Sequence, residues 1–358
     1  MYSTQAILPE LGRDFDISPA EAGLTVSAVV VALALAAFVW GPLSDRIGRK
    51  RSLVLASALL VAPTIGAGLA PTFGTLLACR ALQGLCMPGL LTVGVPYVTE
   101  AFVPRIGARA MGYYVSALVA GGLIGRVGVA LVTSLVGWRW AVGGLAFLPL
   151  AGAVVLQRTL PDVPSPARGA GRSLRRQLTN SRVLRVAVVA STFFFTFVGT
   201  FSYVTYRLEQ PPFGYGTAVG SLVFVLWLLG ATTPLVGRLV DRIGWRRVVG
   251  SALGLCAAGL LLTFPASIVT IVIGLAAFTL ANFAGVTAAQ VGIAEATVVD
   301  RGAASAVYYA MYYASGGVGG YLPGLAWQAW HWNGIALVGL GVLSVGAAAL
   351  LGGRPYDP

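Results

Sequence analysis

The sequence predicts an all-α membrane protein made of two pseudo-symmetric six-helix bundles, with the first helix truncated and about 11 full spans present. Three observations support this fold class: charged residues are scarce, apolar runs have the length of membrane-crossing helices, and two stretches of the first half return in the second. Only 10% of the 358 residues are charged and 57% are hydrophobic. Soluble domains carry about 25% charged residues, so this chain has too little polar surface to face water.

The apolar runs predict eleven spans, because about 20 apolar residues cross a bilayer. In chain order the runs are 22–43, 52–99 (divided in two at Pro71), 109–135, 139–157, 184–206, 217–236, 248–294 (divided at Phe264–Ser267) and 302–353 (divided at Trp327–Asn333). Helix 7 begins near Val183, and its repeat partner would begin before Met1. We therefore expect a misplaced start, with about a dozen or more apolar residues encoded upstream; the alternative is a true truncation of helix 1.

Basic residues predict the orientation, because Lys and Arg concentrate in cytoplasmic loops. With residues 41–51 placed inside, 19 of the 24 basic residues lie in inner loops or the tail and three lie in outer loops. The C-terminus is then cytoplasmic. The Arg-rich segment with Pro161, Pro164 and Pro166 has no apolar run, which predicts a first bundle over 1–157, a cytoplasmic linker over 158–182 and a second bundle over 183–358.

The net charge of +12 does not indicate nucleic-acid binding, since the bases lie in short loops between apolar runs rather than on one polar face. The bilayer is the expected partner. Cys79, Cys86 and Cys256 all lie in apolar runs and form no CxxC pair, so we expect them to pack as small residues. We expect no metal and no cofactor.

One charged phrase occurs twice. GPLSDRIGRKR begins at Gly41 and GRLVDRIGWRR begins at Gly237, and seven of the eleven positions are identical. A second pair, GARAMGYYVSALVAGGLIG from Gly107 and GAASAVYYAMYYASGGVGG from Gly302, repeats with nearly the same offset. The chain therefore consists of two copies of one unit, and parallel repeats of six spans are a transporter architecture.

The first phrase resembles the signature between helices 2 and 3 of the major facilitator superfamily. Arg80-x-x-Gln83-Gly84 resembles the helix 4 signature of its proton-coupled efflux branch, and Gly112-x8-Gly121-x3-Gly125 resembles the first half of its helix 5 antiporter motif. That motif continues with a proline where this chain has Arg126. The segments YSTQAILPEL, FSYVTYRL and HWNG resemble an inner-membrane efflux branch of the superfamily, which implies a bacterial inner (plasma) membrane location.

The resemblance implies a cytoplasmic latch in the repeated loop. Its gating residues are Gly41, Asp45, Arg46, Gly48, Arg49, Asp241 and Arg242. Asp45 is expected to face the start of helix 11, where unpaired backbone N–H groups favour negative charge, and Asp241 to mirror it weakly against helix 5. Gly41 and Gly48 are expected to permit the turn, and the loop arginines to bind carboxylates or lipid phosphates. The alternative is a positively charged loop without a gating role.

Two arginines lie inside predicted spans, where charges are costly and usually functional. Arg80 and Arg126 lie roughly 10 and 13 Å below the outer ends of their helices, at about 1.5 Å per residue. The positions equivalent to them in the second half are Ala276 and Tyr321. We hypothesise that the two guanidinium groups attract an anionic or polar substrate group. The alternative is snorkelling or pairing with backbone carbonyls.

Polar aromatic and amide side chains complete the expected substrate site: Tyr97, Tyr113, Tyr203, Asn282, Gln290, Tyr308 and Tyr312. Tyr308, Tyr309, Tyr312 and Tyr313 form two i, i+4 pairs on helix 11. A phenol buries apolar area and offers a hydroxyl, which suits sugars or aromatic compounds. The alternative for each is packing or an interfacial belt.

These features predict a secondary transporter that moves a small molecule by alternating access. The resemblance implies proton-coupled efflux of a sugar, drug-like compound or metabolite by a monomer; all twelve acids lie in loops or at span ends, so the carboxylates add no support of their own for proton coupling. An integral membrane enzyme is disfavoured because the sole histidine, His331, lies in an outer turn, and an ATP-driven pump because no GxxxxGK[ST] occurs. A membrane protein without transport activity, in a receptor or assembly role, remains the alternative.

Overall fold

The computed structural model describes residues 2–101, 104–162, 174–296 and 301–352, and every regular element within these ranges is helical. The α-helices are α1 (Leu8–Phe15), α2 (Pro19–Ile47), α3 (Arg49–Gly68), α4 (Phe73–Cys86), α5 (Pro88–Ala101), α6 (Pro104–Leu123), α7 (Val129–Val136), α8 (Trp138–Gly144), α9 (Phe147–Thr159), α10 (Leu174–Leu178), α11 (Ser181–Glu209), α12 (Thr217–Gly220), α13 (Thr233–Ile243), α14 (Trp245–Leu261), α15 (Ile268–Ala296) and α16 (Arg301–Leu351). A π-helical turn, Ile124–Gly128, joins α6 to α7, and 3₁₀ segments occupy Gln5–Ile7 and Ser221–Thr232.

The helices confirm the predicted membrane fold. Within the described ranges, nine stretches are long and apolar enough to cross a bilayer. One of them, Ala303–Leu351, is two helices, because His331 has non-helical backbone angles of φ 47° and ψ −135°. Helix α14 adds another apolar stretch of 17 residues. The nine stretches, with Ala303–Leu351 counted as two and α14 added, give eleven, which is the number of predicted spans.

The predicted breaks between spans coincide with helix ends. Around Pro71, α3 ends at Gly68 and α4 begins at Phe73, where the Thr72 hydroxyl caps the helix by accepting a hydrogen bond from the Thr75 amide. In the second half, α14 ends at Leu261 and α15 begins at Ile268. The third predicted break falls at His331.

The repeated phrase is mostly helical, which corrects one prediction. Gly41 lies inside α2, because that helix continues to Ile47, so Gly41 forms no part of the turn. The turn needs only Gly48, whose φ is 92°, and its repeat partner Gly244 has a φ of 82°. A positive φ costs a side chain about 1 kcal/mol or more, so glycine at this position fixes the same turn twice.

The chain divides into two compact units. The first unit contains Met1–Ile17, Leu24–Gly169 and Thr217–Leu222, and the second contains Ser18–Gly23, Ala170–Gly216 and Val223–Pro358. Of the predicted linker over 158–182, residues 163–173 lie outside the described ranges, and a short helix, α10, follows them.

In the second unit, α11 packs against α15 and α16 through glycines. The ring of Phe193 occupies the space that a side chain at Gly285 would need, and the ring of Phe194 does the same at Gly316. Apolar burial does not drive helices together within a bilayer, so close van der Waals contact at small residues contributes to their attraction. The Gly-rich stretch of α16 is therefore a helix-packing surface for the phenylalanines of α11.

Candidate functional site

Arg80 on α4 is 1% exposed and is held by neutral oxygens of the first unit. Its guanidinium donates hydrogen bonds to the backbone oxygen of Thr25 at 3.0 Å, to Gln83 Oε1 at 2.6 Å and to Ser3 Oγ at 3.3 Å. The Gln83 amide then donates to Thr64 Oγ1 at 3.0 Å. The result is a polar chain that links α4 to α2, to α3 and to residues 2–7, named here the opening segment.

Arg126 is also 1% exposed and lies in the π-helical turn between α6 and α7. Its Nε donates to Gln5 Oε1 at 3.1 Å and its Nη1 donates to the backbone oxygen of Gly122 at 2.7 Å. The guanidinium carbon lies 4.4 Å from the centroid of the Tyr2 ring, within range of a cation–π contact. π-Helical turns inside α-helices occur frequently at functional sites.

The opening segment therefore connects the two buried arginines. Ser3 contacts Arg80, whereas Tyr2 and Gln5 contact Arg126. Sequence reasoning selected both arginines but missed Ser3, Gln5 and Gln83 as their acceptors. The signal was available: polar residues in YSTQ stand in an apolar setting, and Gln83 lies one helical turn after Arg80.

In the second unit, Tyr308 and Tyr312 belong to a column of stacked rings. Tyr312 stacks on Phe194 of α11 with ring centroids 4.1 Å apart, and Tyr308 continues the column at 6.0 Å. Tyr309 and Tyr313 form a parallel pair at 6.1 Å. Tyr308 is 1% exposed, and its hydroxyl finds no hydrogen-bond partner among the described residues. Phe194 was not predicted as a contact of Tyr312.

A larger aromatic cluster surrounds Phe197 of α11. Phe197 contacts Trp227 at 4.7 Å and Phe201 at 4.9 Å, and it also packs against Phe278 and Phe283 of α15. Sequence reasoning did not assign these rings to a site. Near them, Asn282 of α15 is buried, and its Oδ1 accepts no hydrogen bond from the part of the chain that the structure describes.

The other predicted binding residues have different surroundings. The Tyr203 hydroxyl donates to the backbone oxygen of Gly320 at 2.8 Å, and the Tyr97 hydroxyl donates to that of Pro161 at 3.0 Å. Tyr203 therefore ties α11 to α16, and Tyr97 ties α5 to the segment after α9. Tyr113 is 64% exposed and Gln290 is exposed.

In the first copy of the repeated phrase, Arg49 is 7% exposed and joins two carboxylates. Its Nη1 lies 2.9 Å from Asp45 Oδ1, and its Nε lies 3.2 Å from Glu100 Oε2 on α5. Nη1 also donates to Ser44 Oγ at 2.5 Å. The charge-assisted bonds tie the end of α2 to α5 through the first residue of α3. Arg46 is exposed.

The second copy is built differently. Trp245 occupies the position of Arg49, and its Nε1 donates to Glu295 Oε2 of α15 at 2.9 Å. Arg246 donates to the backbone oxygen of Leu350 at 3.0 Å. Asp241 and Arg242 are both exposed. The expected facing of Asp45 to helix 11 and of Asp241 to helix 5 stays a prediction.

Comparison with known proteins identifies the family. Residues 1–233 match the family model described as Major Facilitator Superfamily. The inner membrane transport protein YnfM of Escherichia coli (strain K12) is 30% identical over 342 residues, covering 94% of this chain and 82% of that protein. The MFS-type transporter YybF of Bacillus subtilis (strain 168) is 29% identical over 346 residues, covering 94% and 85%.

Solved structures share the fold. A bacterial homolog of the human lysosomal transporter Spinster, in an inward-facing and occupied conformation, superposes with a TM-score of 0.78 at 17% identity, covering 98% of this chain and 92% of that chain. A variant of the nucleoside transporter NupG superposes with a TM-score of 0.75 at 14% identity, covering 98% and 95%. At these identities, the likeness concerns the fold alone.

Proposed function

Since this chain belongs to the Major Facilitator Superfamily, we propose that it is a secondary active transporter that exports a small molecule by alternating access, coupled to protons. Membership of a transporter family, together with a multi-pass membrane fold, is the observation that carries this proposal. The two repeats are the moving parts, and parallel six-span repeats are the architecture in which such motion occurs. Proton coupling is proposed because Arg80-x-x-Gln83-Gly84 resembles the helix 4 signature of the proton-coupled efflux branch.

Arg80 and Arg126 bind a polar or anionic group of the substrate. Each guanidinium donates to a neutral side chain of the opening segment, Ser3 or Gln5, and a substrate oxygen replaces that acceptor in the loaded state. An anionic oxygen adds a Coulombic attraction to the charged guanidinium that a neutral oxygen lacks, so the exchange favours such a substrate. Sugars with an acidic group, acidic metabolites and anionic drug-like compounds fit this requirement.

Within the second unit, the stacked rings offer a surface for apolar groups of a substrate. Phe194, Tyr308 and Tyr312 present ring faces and a phenol hydroxyl, and both planar compounds and sugars pack on such faces. The Tyr308 hydroxyl supplies the polar contact. Among the other expected ligands, Asn282 has an amide oxygen suited to a substrate donor.

Loop residues close the cytoplasmic end during the transport cycle. Arg49 holds Asp45 and Glu100 together, so α2, α3 and α5 move as one body at that end. Arg46, Asp241 and Arg242 are exposed and supply charge for contacts made in only one conformation.

A flux assay tests the proposal. The purified chain is reconstituted into proteoliposomes with an imposed pH gradient, and labelled sugars, acidic metabolites and drug-like compounds are supplied. We expect gradient-dependent movement of at least one compound, and loss of at least tenfold of that movement in Arg126→Gln. Arg13→Gln is the matched control, because the Arg13 side chain is 60% exposed and pairs with Glu10, three residues away on the same helix. Movement of no compound under any gradient, from a chain that remains folded, would contradict a transport function and favour a receptor or assembly role.

A further inference from the structure

The two copies of the repeated phrase lead into helices that start in the same way. Gly48 and Gly244 both have positive φ and both immediately precede the helix, so α3 begins at Arg49 and α14 begins at Trp245. The acceptor is repeated as well, because Glu295 follows Glu100 by 195 positions. The first residue of each helix therefore reaches the equivalent carboxylate of its own unit.

The donors differ in chemistry. Arg49 makes two close contacts with Glu100, at 3.2 and 3.3 Å, and a third ion-pair contact with Asp45. Trp245 makes one hydrogen bond to Glu295 from an uncharged indole N–H. The contact in the first unit depends on the negative charge of its glutamate. The contact in the second unit needs only an acceptor oxygen at that place.

The two units also differ at a second pair of equivalent positions, on the helices that face Arg49 and Trp245. The position equivalent to Tyr97 is Gly292, and the indole of Trp245 lies over it: a Cβ at Gly292 would lie 2.9 Å from two carbons of the ring. In the first unit the same position carries Tyr97, which packs with Leu53 and Val93. A large side chain at the start of the helix is thus matched by a missing side chain on the facing helix, and α14 gains close contact with α15.

We infer that Trp245, Gly292 and Glu295 form a second latch, which holds the start of α14 to α15 by shape and one hydrogen bond from an uncharged donor, where the first unit uses an ion pair. The latch lies at the end that the distribution of basic residues places in the cytoplasm. Arg246 extends it, because its guanidinium binds the carbonyl oxygen of Leu350 at the end of α16. The inference goes beyond the proposed transport function and requires no knowledge of the substrate.

Paired Glu→Gln variants separate the two latches. Glu100→Gln removes the charge that Arg49 needs, whereas Glu295→Gln keeps an oxygen for the indole N–H. Amide hydrogen exchange of the purified chain is followed in peptides covering 52–57 and 248–253, the second turns of α3 and α14. We expect Glu100→Gln to speed exchange of 52–57 about tenfold, which corresponds to 1.4 kcal/mol. Glu295→Gln changes exchange of 248–253 by less than twofold.

Two further variants test the fit. Gly292→Ala drives a methyl group into the indole, and we expect exchange of 248–253 to rise about tenfold; Gly254→Ala on α14 is the control, because no described atom lies within 4 Å of a Cβ there. Trp245→Phe keeps a ring but loses the N–H donor, and exchange of 248–253 should rise to a smaller extent. The inference is overturned if Glu295→Gln speeds exchange of 248–253 as strongly as Glu100→Gln speeds exchange of 52–57. It is also overturned if Gly292→Ala leaves exchange of 248–253 unchanged. Exchange needs no flux, so a failed transport assay leaves this result unaffected.

Discussion

The two units place opposite chemistry at matching positions of one repeat. In the first unit, Arg80 and Arg126 are buried among hydroxyl, amide and backbone oxygens. In the second unit, the equivalent residues are Ala276 and Tyr321, and the interior near α11 is filled by stacked aromatic rings. The repeat therefore preserves the turn at Gly48 and Gly244, whereas the side chains inside it have diverged into a polar unit and an aromatic unit.

The repeated glycines show the same divergence. Gly316 admits the ring of Phe194, whereas a Cβ on its partner Gly121 meets no described atom within 4 Å. The two residues stand at equivalent positions of the second repeated stretch. A shared glycine is therefore a packing contact in one unit and an open position in the other.

The largest expected effect tests the polar unit. Arg80→Ala removes the donor that Gln83 Oε1 and Ser3 Oγ accept from, at about 1–3 kcal/mol for each buried group left unsatisfied. We expect roughly 3 kcal/mol or more of lost stability, measured as a lower midpoint of thermal unfolding in detergent. The exposed Arg13→Ala should cost less than about 1 kcal/mol. Equal losses in the two variants would show that the polar network adds nothing to stability.

A smaller effect tests the aromatic unit. Gly316→Val forces Phe194 out of its place on α16, and overpacking of this kind costs about 1–3 kcal/mol. Gly121→Val, its repeat partner, should change the unfolding midpoint little. The same unfolding assay reads both variants. Similar destabilisation at the two positions would remove the difference between the units that the packing indicates.

The smallest effect separates two tyrosines within the second unit. Tyr203→Phe removes the hydrogen bond to Gly320, worth about 1 kcal/mol. Tyr308→Phe removes a hydroxyl without a partner in the described chain, so stability should hold within about 0.5 kcal/mol. If Tyr308 contacts substrate, its phenylalanine variant instead raises the KM for transport. A Tyr308→Phe variant that melts as early as Tyr203→Phe would assign that hydroxyl a structural role.

Much of the fold follows from local sequence features. Span lengths, the breaks near Pro71, Pro265 and His331, and the paired turn glycines were all predictable, because apolar length and special backbone angles act within a few residues. The prediction that Gly41 joins the turn was wrong, since a charged, Gly- and Pro-containing stretch still continues α2 to Ile47.

The candidate site was predictable only in part. Arg80, Arg126 and the tyrosines of α16 were identifiable because charge and phenols are rare in apolar runs. Which arginine pairs with Ser3, Gln5 or Thr25 was not predictable, because these residues lie far from the arginines in sequence. Phe194 likewise reaches Tyr312 only through the packing of α11 on α16.

Composition, apolar periodicity and the internal repeat indicated a helical membrane protein and most of its span boundaries, because these features are read along the chain. The packing of the helices set which acceptors bind each arginine and which glycines have an aromatic ring packed over them. It also set the hydrogen bond by which Trp245, at the position of Arg49, binds the equivalent glutamate. Those contacts join residues tens to more than a hundred positions apart, and side-chain geometry, which acts over a few ångströms, is set only when the helices have packed.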